Sequence, residues 1–551
     1  MFGFFKRKKD DEDPLSDLKT VSRWMQELPA GDIYSAQEQV VQSLIQFNHA
    51  GLGMSKERLQ VLMHLDEHAR DMQFSLCGQY LRNPRMSKVI ESRLWTAIHA
   101  FYWEITRGYH AFLMDFVANP GGSKIQAAVP TITARAVRGF SDIFKWRYFR
   151  YEKVEEKLWL RFHNLYRISE FDGFQNNRFK LYPGDASPSS CTEEYVQSLL
   201  LSPLGAGSLT PRQIEMVDHW LNNWSEHTTL DTGFDAERHY YMVDTSKGQG
   251  LRHIRPGVNE PTFRYLATDK VLEHLRQIER ALKSGAAPVT LGLGEEFRLP
   301  DGYDLLEYVA NEWAPASERE RRVSPRQPAQ GRWEVLRDLA SICNRMRSEG
   351  EIASGQSSRQ TLSPEEILDI KLYGFVTERT KTAYQQRPQE QREFPLERWP
   401  LNDRSDTGLG IILQAEESEW VKVGKLLALR MDPGDIWHLA IIRRLTRLDN
   451  NQRKVGLQTL NSYAQLVQLE QEQARELGYS VEDGGYGNNA PSMGLIFPEL
   501  EQGNFVILEP ARYTHGKVYR MMLPNSERYI RLEAAQDKGD GWLMATYTTV
   551  G

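Results

Sequence analysis

Two short stretches of the chain carry side chains that suit a binding site for an anion. Residues 321–326 (RRVSPR) supply arginines, and residues 403–408 (DRSDTG) supply an acid, a hydroxyl group and a glycine. The planar arginine fork pairs bidentately with phosphate oxygens or with O6 and N7 of guanine. A carboxylate accepts hydrogen bonds, and a serine hydroxyl donates one. The candidate binding residues are Arg321, Arg322, Arg326, Asp403, Ser405 and Gly408.

The spacing within each stretch favours a ligand site. In an extended segment Arg322 and Arg326 lie on one side, roughly 13 Å apart, so they can hold separate parts of one ligand. Pro325 keeps the segment from becoming a helix, which would stack the two side chains one turn apart. Gly408 permits a positive φ angle or a close approach of the ligand to the backbone.

Each stretch also has a simpler interpretation. A segment such as 403–408 commonly forms a hairpin turn, in which the same side chains make only local hydrogen bonds. The arginine run can be a solvated linker that pairs with Glu318 and Glu320. Because both stretches occur in order within one strand-rich part of the chain, we favour the ligand site.

The elements around these stretches are predicted to be strands. Beyond residue 331 apolar residues alternate with a period of two between Asp, Asn, Gly and Pro turns, which predicts an antiparallel barrel. The predicted strands are 333–336, 394–400, 409–413, 423–430, 436–445 and 454–460. Residues 345–392 break the pattern, and a capping box with proline at the first helical position predicts a helix from Ser363 to about Tyr384. We therefore expect a barrel with a helical insertion, followed by a small β unit.

The first half of the chain is predicted to be mostly helical. Apolar residues recur every three or four positions over long stretches free of Pro and Gly, which predicts a helical bundle. The middle region mixes helices with a strand at 239–244, and a stretch rich in Pro, Arg and Glu predicts a linker. The fold class is α+β and multidomain: a charged tail 1–14, an all-α bundle 15–180, a mixed region 190–312, a linker 313–331, a barrel 332–465 and a C-terminal β unit 466–551.

The two stretches and their strands resemble the PilZ domain. That family carries Arg-x-x-x-Arg followed by (Asp/Asn)-x-Ser-x-x-Gly, which residues 322–326 and 403–408 match. Residues 424–427 (GKLL), 437–444 (WHLAIIRR) and 455–458 (VGLQ) are also similar to a PilZ barrel. The resemblance implies a barrel that binds cyclic di-GMP, a dianion with two guanines. Asp403 would accept from guanine N1 and N2, and Ser405 would donate to a phosphate oxygen.

The chain departs from the family pattern in its insertion. In the family a short strand pair usually joins the two motifs, whereas here the helical insertion lies between Arg326 and Asp403. The insertion can cover the site, and Arg379 and Lys381 are candidate accessory contacts, with exposed helix charges as the alternative. Some PilZ-like domains bind no nucleotide and act only as interaction modules, so a nucleotide-free scaffold is the alternative function.

Composition excludes several other classes of protein. The 551 residues carry a net charge of −6, which gives no global attraction to nucleic acid. The three cysteines include no Cys-x-x-Cys pair, which argues against a disulfide framework and a thiolate zinc site. The apolar stretch 94–117 contains charged and histidine residues, so we expect a buried helix and no transmembrane segment. With no export signal, we expect a cytoplasmic protein.

Other chemical constellations carry less weight. Residues 64–68 (HLDEH) match a helical zinc motif with His64, Glu67 and His68, but no third ligand is evident. Residues 146–153 interleave aromatic and basic side chains and could stack nucleic-acid bases, although helix core is the commoner role. Residues 490–494 lack the first glycine of a nucleophile elbow, and no P-loop motif occurs.

We therefore expect a bacterial cyclic-di-GMP receptor, without enzymatic activity, metal or cofactor. Its helical half would bind an unidentified protein partner. Family analogy allows a partner in a motility, pilus or exopolysaccharide system, and no feature of the sequence chooses among these.

Overall fold

The structure is a computed structural model that describes residues 13–550 with gaps. The residues not described are 1–12, 51–52, 84–85, 122–123, 206, 255–258, 298–300, 316–325, 354–368, 370–376, 378–395, 416–419, 449, 472–491, 498–503, 524–525 and 551. The chain forms two compact units, residues 1–321 and residues 322–551.

The first unit is built mainly from helices. Its described α-helices are α1 (Leu18–Glu27), α2 (Ile33–His49), α3 (Lys56–Arg82), α4 (Lys88–Ala118), α5 (Val129–Tyr148), α6 (Glu156–Phe171), α7 (Cys191–Leu204), α8 (Pro211–Trp224), α9 (Asp269–Lys283) and α10 (Asp301–Trp313). Many begin at a side-chain cap that satisfies free backbone N–H groups. Thr210, for example, forms a capping box with Gln213, and Pro211 occupies the first helical position.

A small antiparallel sheet interrupts the helices, as expected for the mixed region. Its strands are β1 (Thr229–Asp231), β2 (His239–Asp244), β3 (Arg252–His253) and β4 (Phe263–Ala267), in the order β1-β4-β2-β3. The predicted strand at 239–244 coincides with β2. Helix α10 ends at Trp313, whose buried indole donates to the Leu200 carbonyl, so the start of the predicted linker belongs to the helical core.

Large aromatic side chains fill the core of the first unit. Trp146, Trp220 and Trp224 are almost completely buried. The aromatic residues near 146–153 therefore contribute to helix core rather than a base-stacking surface. Helix α4 contains the apolar stretch 94–117, and in the described part of the chain no helix is long and apolar enough to cross a membrane.

A buried polar network ties α3 to α5. The Asp66 carboxylate accepts hydrogen bonds from the hydroxyls of Tyr109 (2.7 Å) and Tyr182 (3.0 Å). Arg135 donates to the Leu181 carbonyl at 2.7 Å and to the Glu67 carboxylate at 2.5 Å. Buried polar groups satisfied in this way fix one arrangement of the helices.

The same contacts account for the zinc-like residues. Glu67 pairs with Arg135, His64 Nε2 lies 2.9 Å from the Ser22 hydroxyl, and His68 Nδ1 lies 2.8 Å from the His64 carbonyl. Among the described residues no group of three or more His, Cys, Asp or Glu could hold a metal ion.

Asp142 on α5 predicts a pH dependence of stability. Burial raises the pKa of its carboxyl from 3.8 to about 6, although Lys145 at 3.5 Å opposes the shift. The unfolded chain therefore loses this proton at lower pH than the folded chain, and the cost to folding develops as pH rises from about 4 to about 6. An Asp142→Asn variant should match the wild type below pH 4 and be more stable by about 3 kcal/mol at pH 7. Thermal unfolding midpoints across this range test the prediction, and a difference that is independent of pH would contradict it.

The second unit begins with a closed antiparallel barrel, as predicted. Its strands are β6 (Arg332–Arg337), β7 (Glu397–Ser405), β8 (Gly408–Gln414), β9 (Leu426–Arg430), β10 (His438–Arg447) and β11 (Gln452–Tyr463). Hydrogen bonding follows the ring β6-β7-β8-β11-β10-β9 and returns to β6. A further strand, β5 (Gln327–Pro328), pairs with the end of β7. All six predicted strands are therefore confirmed, with shifted ends.

The C-terminal β unit is a second closed barrel, which is more than the expected small unit. Its strands are β12 (Gln465–Gln471), β13 (Ser492–Ile496), β14 (Phe505–Leu508), β15 (Val518–Leu523), β16 (Ser526–Gly539) and β17 (Trp542–Val550). The ring is β12-β13-β14-β17-β16-β15 and closes through the pairing of β12 with β15. Both rings therefore follow one order: first, second, third, sixth, fifth and fourth strand.

Helix α11 (Leu339–Ala353) lies in the connection between β6 and β7. Its apolar residues Ile342 and Cys343 are buried among outward-facing side chains of both barrels. The helical insertion thus begins with α11 at Leu339, six residues before the expected start at residue 345. The predicted helix from Ser363 to Tyr384 lies outside the described residues.

A buried ionic network fixes α11 to the first barrel. Arg430 on β9 donates to Glu334 on β6 at 2.8 Å and to Glu349 on α11 at 3.1 Å. The Trp437 indole also donates to Glu349 at 2.9 Å, and the Arg430 guanidinium lies 4.2 Å from the centre of the Trp437 ring. Arg430 therefore links strands β6 and β9 to helix α11.

Candidate functional site

Strand β7 and the segment before the first barrel bring two predicted residues together. Arg326 Nη1 donates to Asp403 Oδ1 at 2.6 Å. The backbone explains this contact, because Gln327 and Pro328 pair with Arg404 and Asp403 on β7. Arg321 and Arg322 lie outside the described residues.

The other predicted residues lie at the turn between β7 and β8. Asp403 and Ser405 belong to strand β7 itself, and Gly408 begins β8. The Ser405 hydroxyl donates to the Gly408 carbonyl at 3.4 Å. A local hairpin contact of the kind expected in the simpler interpretation is therefore present, beside the long-range contact of Asp403 with Arg326.

The strand register defines a groove on the outer wall of the first barrel. Asp403 lies opposite Gly410, Gly410 opposite Gly456, and Gly456 opposite Arg444. Two residues further along the strands, Ser405 lies opposite Gly408, and Gly408 lies opposite Gln458. The inward neighbours Leu409, Ile411, Val455 and Leu457 are buried in the barrel. We call this wall the glycine groove; it consists of Arg326, Asp403, Ser405, Gly408, Gly410, Arg444, Lys454, Gly456 and Gln458.

The glycines leave room for the side chains of the ion pair. A Cβ atom on Gly410 would lie 2.3 Å from Asp403 Oδ1, which no side chain could tolerate without displacing the carboxylate. A Cβ atom on Gly456 would lie 3.8 Å from Arg326 Nη2. The backbone of β8 and β11 therefore forms the floor on which the Arg326–Asp403 pair rests.

The charge of the groove suits an anion. Lys454 Nζ lies 3.9 Å from Asp403 Oδ2, so Asp403 has cations on two sides. The Arg326 side chain is 32% exposed and the Asp403 side chain is 14% exposed, so a ligand can reach the pair. Arg444 lies opposite Gly456 in the strand register, so a third cationic residue belongs to the same wall. Such a surface can bind a phosphate group and offer a carboxylate to a nearby donor edge.

Sequence reasoning missed several residues of the groove. Gly410 and Gly456 stand inside strands, where a glycine often marks a close approach of other groups, and that signal was available. Lys454 and Arg444 gave no such signal, because their place beside Asp403 and Gly456 depends on the strand register. The candidate accessory residues Arg379 and Lys381 lie outside the described residues.

Comparisons with known proteins show which family the chain resembles. The family model described as "Cyclic-di-GMP receptor FimW, N-terminal domain" matches residues 19–236. The model described as "Cyclic-di-GMP receptor FimW, middle PilZ domain" matches residues 276–465. The second match contains the whole first barrel and the glycine groove.

A curated relative agrees with both matches. The cyclic-di-GMP receptor FimW of Pseudomonas aeruginosa is 19% identical over 480 residues, which cover 81% of this chain and 77% of the relative. No solved structure matches the chain significantly. The two matches, in order and over about three quarters of the chain, show that it belongs to the FimW family of cyclic-di-GMP receptors, with that family's N-terminal domain and middle PilZ domain.

Proposed function

We propose that this chain is a cyclic-di-GMP receptor that binds its ligand in the glycine groove. The observation that carries the proposal is the contact between Arg326 and Asp403, which unites the two motif stretches on one barrel wall. The name of the relative supports the same ligand. The proposed binding residues are Arg321, Arg322, Arg326, Asp403, Ser405 and Gly408, with Gly410, Lys454 and Gly456 added from the groove.

The chemistry of the groove matches the two parts of the ligand. A phosphodiester anion would pair with the arginines and Lys454, and its oxygens could accept from Ser405 in place of the Gly408 carbonyl. The Asp403 carboxylate would accept from N1 and N2 of guanine, while arginine pairs with O6 and N7. Gly410 carries no side chain that would displace the Asp403 carboxylate, and Gly456 carries none that would keep a flat base from the backbone.

The proposal includes coupling to a protein partner through the helical unit. In the sequence, the boundary between the two compact units falls between Arg321 and Arg322. A ligand that holds these arginines together with the groove would draw the segment that joins the units onto the barrel and change their relative position. The receptor would act by binding, without converting its ligand.

Calorimetric titration of cyclic di-GMP into the full chain tests the proposal. We expect micromolar or tighter binding, equivalent to about −8 kcal/mol or better. Affinity should fall as salt concentration rises, because the contacts are ionic and partly exposed. GTP serves as the control ligand and should bind at least about tenfold more weakly.

A titration without heat at two temperatures, confirmed by a second binding assay, would contradict the proposal. The alternative would then be a scaffold whose PilZ barrel holds no nucleotide. The engagement of Ser405 in a local hairpin contact is the observation that favours this alternative.

A further inference from the structure

The second barrel repeats the first in its strand order. In each ring the first strand pairs with the second and fourth, the third pairs with the second and sixth, and the fifth pairs with the fourth and sixth. All of these pairs are antiparallel in both barrels. Neither matched family model covers the second barrel, because the PilZ match ends at residue 465, where β12 begins. The shared order allows the walls of the two barrels to be compared strand by strand.

The wall that corresponds to the glycine groove is filled in the second barrel. In the first barrel the third and sixth strands place Gly410 opposite Gly456 on the outer wall. In the second barrel the outer wall of these strands carries Phe505, Ile507 and Met544. Phe505 and Ile507 are buried in a cluster with residues of α11 and the first barrel, and Met544 packs against that cluster. Side chains thus occupy the space that a ligand would need.

The second barrel also lacks the polar residues of the groove. Its second strand, β13, has the sequence SMGLI without an acidic residue, and residues 497–504 (FPELEQGN) contain no Asp-x-Ser-x-x-Gly. The wall that would bind nucleotide instead packs against α11 and the first barrel.

A bulge in β10 connects the second barrel to the edge of the glycine groove. Ile442 pairs with Leu457 and Arg444 pairs with Gly456, so Arg443 is the additional residue of a β-bulge. Its Nε donates to the Gln458 side chain at 2.8 Å. Gln458 lies opposite Gly408, which places Arg443 beside the turn that carries Ser405.

Asp537 of the second barrel holds the other end of this arginine. The guanidinium of Arg443 forms an ion pair with the Asp537 carboxylate. Asp537 itself lies at an irregularity in β16, where the register against β17 shifts. The Arg443 side chain remains 41% exposed, so it can also contact a ligand.

We infer that the second barrel is a nucleotide-free copy of the first and that it serves the glycine groove by fixing Arg443 at its edge through Asp537. This inference rests on the proposed function. Arg443 contacts an anionic ligand directly, and Asp537 is a positioning residue that acts through Arg443. An arginine already held by two acceptors loses less side-chain freedom when the ligand binds.

Titration of cyclic di-GMP into four variants of the full chain tests this inference. Arg443→Ala should lower the affinity by about tenfold and Asp537→Asn by at least about threefold. The double variant should bind no more weakly than Arg443→Ala alone, because Asp537 acts through the arginine. Asp540→Asn is the matched control: it removes a carboxylate next to the same strand pair, one that pairs with Lys425 of the first barrel at 2.9 Å. It should bind within about twofold of the wild type.

Three outcomes would contradict the inference. If Asp537→Asn binds like Asp540→Asn, or if its effect adds to that of Arg443→Ala, the positioning role is wrong. If a chain with both Arg326→Ala and Asp403→Ala still binds cyclic di-GMP at a second site, the second barrel is not nucleotide-free. If the wild-type chain does not bind cyclic di-GMP, the proposed function is wrong, and this inference is wrong with it. Unfolding midpoints equal to that of the wild type show that each variant is folded.

Discussion

An Arg326→Ala variant is expected to bind cyclic di-GMP about 100-fold more weakly than the wild-type chain. The change removes the cation at the centre of the groove and leaves the Asp403 carboxylate facing the ligand with Lys454, 3.9 Å away, as its remaining ion-pair partner among the described residues. A carboxylate without a close counter-ion repels a dianion, so the loss exceeds that of one contact. Calorimetric titration measures the effect.

Two matched variants show whether the loss of affinity comes from the position of Arg326, from its charge or from its planar fork. Arg332→Ala removes an equal charge from an exposed site six positions along the chain and should alter affinity by no more than about twofold. Arg326→Lys keeps the charge but not the planar fork and should give an intermediate affinity. If Arg326→Ala bound as tightly as Arg332→Ala, the groove would not be the ligand site.

Replacement of Arg430 by alanine is expected to lower the free energy of unfolding more than the other substitutions proposed for this chain. Arg430 and Glu334 are both almost completely buried, and their ion pair is 2.8 Å long. Among the described residues, an Arg430→Ala variant leaves the buried Glu334 carboxylate with the 3.4 Å contact to Arg398 as its ion pair. Glu349 on α11 loses its link to β9 but keeps its contacts with Trp437 and Arg345. Removing one partner of a buried pair costs about 3–5 kcal/mol. The loss would appear as a lower midpoint of the unfolding transition that reports the β structure.

A double replacement distinguishes an unpaired charge from lost packing. Arg430→Met together with Glu334→Leu removes both charges and keeps apolar volume, so it should recover much of the stability lost in Arg430→Ala. An Arg430→Ala variant that unfolds at the wild-type midpoint would show that the network does not hold α11 in place.

Local patterns explain why the first barrel could be predicted. Buried apolar residues recur with a period of two in its strands, as in Leu409, Ile411 and Leu413, and turn residues separate the strands. The order of the two motifs in the sequence was enough to suggest one site that includes Arg326 and Asp403. The direct ion pair between these two side chains was not predicted.

The remaining features depend on partners that are distant in the chain. Closure of the second barrel requires β12 to pair with β15, and only Ala464 separates β12 from β11, so no turn residues mark where β12 begins. Arg430 pairs with Glu334, which is 96 positions away in the sequence, and Arg443 pairs with Asp537, which is 94 positions away. No periodicity within a single strand contains this information.

The shared strand order of the two barrels has a consequence for chain length. In each barrel the longest connection joins the first strand to the second: residues 338–396 in one, residues 472–491 in the other. Because those strands are hydrogen-bonded neighbours, Val335 faces Glu397 and Leu469 faces Ser492, and the ends of each connection stay one strand spacing apart. The entropy of closing a flexible loop grows only with the logarithm of its length, by about 0.6 kcal/mol for each doubling. This position therefore accepts added sequence at little thermodynamic cost, and the barrel could acquire α11 and the residues after it without opening its ring.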